Sequence, residues 1–103
     1  PDIAILGMGT DGHFASLFTA MMDDARAFDP AADPAIITTS PMGNPPHARI
    51  TMNLSMILAI PHRVLMVIGE EKKAILSAAL NGADLPITRL LTHDGTQISY
   101  EGV

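Results

Sequence analysis

The chain has 103 residues, carries a formal net charge of −5 and contains no cysteine. A length of this order predicts one small domain, residues 1–103, with a single hydrophobic core. The acidic balance argues against a nucleic-acid-binding surface, which requires a basic patch. The lack of cysteine excludes a disulfide framework and thiolate chemistry.

The apolar content is high for so short a chain, at 48% hydrophobic and 17% charged residues. This composition is typical of a folded domain, and it predicts that part of the apolar surface meets a partner, a second copy or a missing half. No apolar run reaches the length of a membrane span, and no signal-peptide pattern opens the chain, so we expect a cytoplasmic protein. Because the chain begins with Pro1 directly before a strand-like run, we expect its natural start to lie upstream.

Apolar runs alternate with segments of helical spacing along the chain. The run 3–6 predicts a buried strand, and 63–68 is the strongest strand pattern. Asn53 is the expected N-cap of a helix. The alternation predicts an α/β domain with a parallel sheet. The predicted strands are 3–6, 36–39, 49–52, 63–68 and 97–101; the predicted helices are 14–22, 54–60 and 70–80; 29–34 and 40–46 are loops, and 85–91 is an extended or short helical connection.

A glycine-rich turn follows the first predicted strand. Its spacing, Gly7-x-Gly9-x-x-Gly12, matches the dinucleotide-binding fingerprint. Two features count against a dinucleotide. The segment 38–40 is Thr-Thr-Ser, where an acidic residue should hold a ribose hydroxyl, and the Asp11 carboxylate would repel a pyrophosphate.

The longer string 6–18 reads Leu-Gly-Met-Gly-Thr-Asp-Gly-His-Phe-Ala-Ser-Leu-Phe and closely resembles the signature of 6-phosphogluconolactonases. Glucosamine-6-phosphate deaminases of the same superfamily carry a similar Gly-x-Gly-x-Asp-Gly-His segment that runs on to Asn-Glu-Pro. Here Ser-Leu-Phe follows at 16–18, as in the lactonases. The resemblance implies that Gly7, Gly9 and Gly12 form a substrate-binding turn.

His13 and Asp11 are the predicted catalytic residues of this turn. Glycines let the backbone turn at the carboxyl end of a strand, where ligands of open α/β sheets bind. We expect His13 to lie there, at the start of the following helix. Imidazole is suited to take a proton from water near neutral pH, and Asp11 is placed to orient the ring. The alternative is that Asp11 only caps a helix and His13 is an ordinary loop histidine.

A cationic segment at 46–52 resembles a second lactonase motif, in which a proline precedes an Arg-Ile-Thr run. Arg49 would enter a strand beside the first one, where its guanidinium would bind the phosphate or a sugar hydroxyl of the substrate. The alternative is a surface arginine in an ion pair.

The segment 69–74 follows the strongest strand and resembles the family's Gly-x-x-Lys motif, in which the lysine meets the substrate phosphate. Lys72 takes that position by spacing, with backbone amides at a helix start beside it. The alternative is an amphipathic helix with solvated charges, an interpretation that suits Lys73. Glu70 and Glu71 are expected to point outward.

Three further histidines, His47, His62 and His93, match no metal-ligand spacing and are interpreted as loop residues. The resemblance likewise implies no metal and no organic cofactor.

The resemblance extends through 84–86 and 89–91, whereas the tail 99–103 departs from the family pattern. It implies a Rossmann-like, three-layer α/β domain whose N-terminal half, with further site residues, is missing from this chain. The implied activity is hydrolysis of 6-phospho-D-glucono-1,5-lactone in the pentose phosphate pathway. Three alternatives stay open: an amino-sugar-phosphate isomerase, a non-catalytic sugar-phosphate-binding domain, and a fragment that assembles with its other half or with itself.

Overall fold

A computed structural model describes residues 1–43 and 45–101. Gly102 and Val103, the end of the divergent tail, lie outside the described residues, as does Asn44 in the loop 40–46. The elements in chain order are β1 (Ile3–Gly7), a 3-10 turn (Thr19–Met21), α1 (Ala25–Phe28), β2 (Ile36–Thr38), β3 (Ile50–Met52), α2 (Leu54–Leu58), β4 (His62–Ile68), α3 (Glu70–Leu80), α4 (Pro86–Leu91) and β5 (Thr96–Glu101).

A parallel three-stranded sheet in the order β1-β4-β5 organises the molecule. The predicted α/β class is thereby confirmed. In β4, Leu65 and Val67 are fully buried, because this strand has a neighbour on each side. Gly7 of β1 pairs with Met66 of β4, so the carboxyl ends of these two strands lie side by side.

The predicted helix 14–22 is wrong. Only the 3-10 turn at 19–21 is helical, and a chain of turns precedes it. Phe14 pairs with Met8 on one side and with Leu17 on the other in isolated antiparallel bridges, which a helix cannot form. Ala15 has a φ of 50°, which also interrupts any helix. The apolar spacing was nevertheless informative, because Phe14, Leu17, Phe18 and Met21 are all buried.

The predicted place of the Arg49 strand is also wrong. β3 pairs antiparallel with β2 in a separate two-stranded sheet, not with β1. β4, which has the longer apolar run, pairs along the whole of β1, and β1 forms the edge of this sheet. Arg49 directly precedes β3.

Asn53 connects three segments of the chain and caps α2, as predicted. Its Oδ1 accepts from the amides of Ala35 (3.1 Å) and Met56 (2.9 Å), and its Nδ2 donates to the carbonyls of Arg26 and Asp33, each at 2.9 Å. The side chain is 1% exposed, so losing it would leave buried backbone groups unpaired.

Arg63, in β4, is buried at 5% exposure. Its guanidinium donates to the carbonyls of Leu58 (3.0 Å), Ile60 (2.9 Å) and Asp94 (2.5 Å), and to Oγ1 of Thr96 (3.1 Å). It therefore binds the end of α2 to the turn before β5. This contact lies at the amino end of the sheet strands, away from the Gly7 edge.

Apolar side chains also remain on the surface. Ile3 and Ile5 of β1 are 60% and 69% exposed, and Ile36 and Ile50 of the small sheet are 65% and 73% exposed. Contact of such a surface with a partner stays a prediction. Within the described residues, no helix has both the length and the apolarity needed to cross a membrane.

Candidate active site

The glycine turn leaves β1 and closes on itself through backbone hydrogen bonds. The Gly9 amide donates to the His13 carbonyl (2.8 Å), and the Gly12 amide donates to the Gly9 carbonyl (3.0 Å). Gly12 has a φ of 84°, a left-handed conformation that favours glycine. Its carbonyl accepts from the Ile87 amide of α4 at 2.9 Å. The turn is thus a closed loop fastened to α4, and it holds Asp11 and His13 at the carboxyl edge of the sheet.

Asp11 and His13 form the pair predicted from the sequence. Asp11 Oδ1 lies 2.5 Å from His13 Nδ1 and accepts from the His13 amide at 3.1 Å. An ionised carboxylate only accepts hydrogen bonds, so the proton of a neutral imidazole belongs on Nδ1 and Nε2 is the basic nitrogen. The His13 side chain is 32% exposed, so this nitrogen has access to solvent. His13 lies in a turn and not at a helix start, which corrects that part of the prediction.

The pKa of Asp11 agrees with this arrangement. Partial burial alone would raise the pKa of its carboxyl, but hydrogen bonds from the His13 ring and amide, with the His13 charge, outweigh burial. The net result is a pKa below the ordinary 3.8. Asp11 therefore stays ionised when His13 accepts a proton.

Two further groups confine the imidazole. A Cβ built on Gly9 would overlap the His13 ring, so the ring packs directly on the Gly9 backbone. The Phe18 ring lies 4.5 Å from the imidazole centroid at an interplanar angle of 31°. Phe18 is 6% exposed and hence fixed within the core. His13 is held by three different groups: a carboxylate, a glycine backbone and a phenyl ring.

Lys72 reaches the same region from α3. Two adjoining clefts, of about 440 Å³ and 380 Å³, are each lined by Gly9, His13 and Lys72. Gly7 lines the first cleft, and Asp11 lines the second. The structure thus brings together the predicted base, its carboxylate, two of the turn glycines and the predicted phosphate lysine, whereas Gly12 lines neither cleft. Neighbouring Lys73 instead pairs with exposed Glu70 at 3.6 Å, and Glu71 is also exposed.

Arg49, unlike Lys72, is bound by backbone carbonyls of a loop. Its Nε donates to the Met42 carbonyl (3.1 Å) and its Nη2 to the Pro45 carbonyl (2.7 Å). Its Cζ is 5.7 Å from the centroid of the Phe18 ring. The structure therefore places this guanidinium inside the loop 42–45. Contact between Arg49 and a substrate stays a prediction.

A third depression, of about 350 Å³, is lined by Ala15, Ser16 and residues of the small sheet. None of its lining residues is titratable, and it therefore offers no acid–base chemistry. Over residues 1–43 and 45–101, no three His, Asp or Glu side chains are grouped to hold a metal ion.

Two residues of the site were not identified from the sequence, Phe18 and Gly43. Gly43 lines the 380 Å³ cleft beside His13 and has a φ of 87°. Its place within a loop rich in proline was a signal for a required turn conformation. The role of Phe18 carried no local signal, since an apolar residue at that spacing is equally consistent with an ordinary core position.

Comparison with known proteins places these residues in a family. The family model for glucosamine-6-phosphate isomerases and 6-phosphogluconolactonases matches residues 1–99. A curated 6-phosphogluconolactonase of Neisseria meningitidis is 40% identical over 97 residues, covering 92% of this chain and 42% of the relative. The chain thus spans less than half the length of that relative.

Solved structures agree with the match. A crystal structure of a Neisseria gonorrhoeae protein superposes with a TM-score of 0.85 at 40% identity, covering 97% of this chain and 45% of that one. A 6-phosphogluconolactonase from Shewanella baltica gives a TM-score of 0.77 at 32% identity, with coverage of 96% and 42%. The family match over residues 1–99 includes β1, β4 and the turn that carries His13.

Proposed function

The chain belongs to the family of glucosamine-6-phosphate isomerases and 6-phosphogluconolactonases, and we propose that it acts in hydrolysis of 6-phospho-D-glucono-1,5-lactone to 6-phosphogluconate. The observation that carries this proposal is the oriented His13–Asp11 pair in clefts that Lys72 also lines. A general base beside a cation suits a substrate that is both an ester and a phosphate. The name of the N. meningitidis relative, a 6-phosphogluconolactonase, supports the same substrate. A place in the pentose phosphate pathway is part of the proposal.

His13 is the proposed base. Its Nε2 takes a proton from a water molecule as the water oxygen attacks the lactone carbonyl carbon. The resulting imidazolium keeps its Nδ1–H on Asp11, whose low pKa leaves a negative charge there to stabilise it. The contacts with Gly9 and Phe18 keep the ring from rotating, so the base stays aligned with the water.

Lys72 is the proposed phosphate ligand. It lies in the first turn of α3, where free backbone amides and the positive end of the helix dipole favour an anion. Holding the phosphate fixes the distance between the lactone carbonyl and His13. Well-oriented groups of this kind gain effective concentrations on the order of 10⁵ M or more over a bimolecular encounter.

The tetrahedral intermediate needs hydrogen-bond donors for its oxyanion. The amides of Gly9, Gly12 and His13 are already used within the turn. Oxyanion stabilisation therefore falls to groups other than these three amides. Collapse of the intermediate breaks the bond to the ring oxygen, which takes the proton back from His13.

The test is phosphorus NMR of fresh lactone with this chain, and with a chimera in which residues 1–99 replace the matching segment of the N. meningitidis relative. We expect the chimera to accelerate hydrolysis, and His13→Ala to lower its rate by about a hundredfold or more. His62→Ala is the matched control, because His62 is exposed at the amino end of β4. A loss of less than about threefold in His13→Ala would exclude the role of general base.

The same proteins, given glucosamine 6-phosphate or 6-phosphogluconate, distinguish the alternatives. An isomerase would instead open the ring of glucosamine 6-phosphate and release ammonia. A binding domain without catalysis would shift the phosphorus signal of 6-phosphogluconate and leave the lactone at its spontaneous rate. Either result would contradict the lactonase proposal.

A further inference from the structure

Phe18 contacts both the imidazole of His13 and the guanidinium of Arg49. The His13 centroid lies 4.5 Å from the Phe18 centroid, and Arg49 Cζ lies 5.7 Å from it. Phe18 is 6% exposed and closely packed. If the Arg49 side chain moves or is shortened, we expect the Phe18 ring to shift within the core and not into solvent. Phe18 thus lies between the loop residue and the base in a series of neighbouring side chains.

Arg49 is also the internal support of the loop 42–47. Its Nε and Nη2 bind the carbonyls of Met42 and Pro45, and the loop closes through mutual backbone bonds between Met42 and His47 at 3.1 and 3.2 Å. The Arg49 backbone is fixed by Thr39, whose amide donates to its carbonyl at 2.8 Å and whose Oγ1 accepts from its amide at 3.1 Å.

Gly43 shows that this support is closely packed. A Cβ at Gly43 would lie 2.8 Å from Arg49 Nη2, closer than real side chains approach. Gly43 also lines the cleft that contains His13 and Lys72. The guanidinium thus lies directly behind one wall of the cleft.

We propose that Arg49 is a positioning residue: through Phe18 it fixes the His13 ring, and through the Met42 and Pro45 carbonyls it fixes the Gly43 wall. This inference rests on the proposed function for its catalytic meaning. The claim that Arg49 fixes the His13 ring and the Gly43 wall does not depend on that function. It gives Arg49 an indirect role as the alternative to the direct substrate contact expected from the sequence.

A guanidinium suits this role because its planar fork donates in two directions while its positive charge lies over an aromatic ring. A lysine ammonium is a compact charge that lacks the fixed planar fork, so it does not hold the two carbonyls in the same geometry. Arg49→Lys should therefore fail to restore the arrangement, although it keeps the charge.

The experiment compares Arg49→Met, Arg49→Lys and Gly43→Ala in the chain by proton–carbon NMR of the His13 ring and by titration with inorganic phosphate. All three variants should move the His13 Cε1–Hε1 signal and the amide signals of Met42, Gly43 and His47. They should change the phosphate dissociation constant by less than about twofold, whereas Lys72→Ala should raise it by about tenfold. Arg26→Met is the matched control, since Arg26 lies on α1 with a 72% exposed side chain.

Arg49→Met and Gly43→Ala disturb the same contact, so their double variant should move the His13 signal no further than the larger single change. An unmoved His13 signal in Arg49→Lys and Gly43→Ala would overturn the proposal, as would a loss of phosphate binding in Arg49→Met equal to that in Lys72→Ala. If the unsubstituted chain binds no phosphate, the proposed function loses its support, and the His13 signal still decides the positioning role.

Discussion

The carboxyl ends of β1 and β4 lie side by side, yet the chain leaves them in opposite ways. After β4, Gly69 leads directly into the regular helix α3, which carries Lys72. After β1, the chain coils through consecutive turns as far as residue 22, and His13 lies within that irregular stretch. Lys72 depends on a repeating backbone, whereas His13 depends on individual contacts.

This difference follows the needs of the two groups. A lysine is a compact charge on a flexible stem, and it can find a phosphate from a helix whose position is only roughly fixed. A general base must hold one nitrogen within hydrogen-bond distance of one water molecule. The Asp11, Gly9 and Phe18 contacts supply that restraint, which a helix surface alone would not.

The comparison is tested most severely at Gly9. A methyl group there overlaps the imidazole, so Gly9→Ala should displace the ring and lower kcat by about a hundredfold in the chimera with the N. meningitidis relative. Nothing lies within 4 Å of a Cβ at Gly7, so Gly7→Ala should leave the His13 ring signals in place. Equal displacement of the ring by both substitutions would show that the turn is not closely packed.

The role of helix α3 in this comparison is tested by Lys72→Ala. Loss of a charged phosphate ligand should raise the Michaelis constant by about tenfold or more while kcat changes little. Lys73→Ala is the matched control, because Lys73 pairs with Glu70 and lies 5.7 Å from the Tyr100 ring. An unchanged Michaelis constant in Lys72→Ala would remove this lysine from the phosphate site.

Gly12→Ala tests the fastening of the turn to α4. The residue has a φ of 84°, and an added Cβ would lie 2.9 Å from the Cβ of Leu85. We expect a loss of about 1–3 kcal/mol in the free energy of unfolding, measured in urea. Gly82→Ala shares a left-handed φ of 109° but meets nothing within 4 Å, so it isolates the backbone strain. Equal losses in the two variants would leave no contribution from the Leu85 contact.

Asp11→Asn should have the smallest effect on the free energy of unfolding, and that effect depends on pH. The folded pKa of Asp11 lies below 3.8, so its ionised form stabilises the fold at neutral pH, and this stabilisation is lost as pH falls below 3.8. Between pH 6 and pH 3 the parent should therefore lose more unfolding free energy than Asp11→Asn. The difference should be below about 1 kcal/mol, because the Asp11 side chain is 53% exposed. If Asp11→Asn lost more unfolding free energy than the parent between pH 6 and pH 3, the ionised Asp11 would not stabilise the fold.

The sequence predicted the regular elements closely, because their signals are local. The strand 63–68 and the helix 70–80 agree with β4 and α3 to within one residue, and Asn53 caps α2 as expected. The turn with His13 and Asp11 was placed at the carboxyl edge of the sheet because ligands of open α/β sheets bind there. Lys72 was identified from its resemblance to the family's Gly-x-x-Lys motif.

Tertiary contacts set the limit of that prediction. The spacing of Phe14, Leu17, Phe18 and Met21 marks one buried face, but successive turns bury the same residues as a helix would. The support that Arg49 gives to a loop depends on Phe18, thirty-one positions earlier by residue number, and no local pattern encodes such a pair. Similarly, two acceptors of Arg63, the Asp94 carbonyl and Thr96 Oγ1, meet it only because β5 lies beside β4.

Helix α2 has five residues, too few to be stable alone, yet side chains from outside hold it at both ends. Asn53 accepts from its first turn, and Arg63 binds the Leu58 and Ile60 carbonyls at its last. Its residues Leu54 and Ile57 are buried at 1% and 0% exposure. Breaking one end of this helix therefore leaves a buried polar group without a hydrogen-bond partner. The amides of α2 should for this reason exchange with deuterium only when the whole domain opens. One of the shortest helices in the molecule then becomes a reporter of global stability.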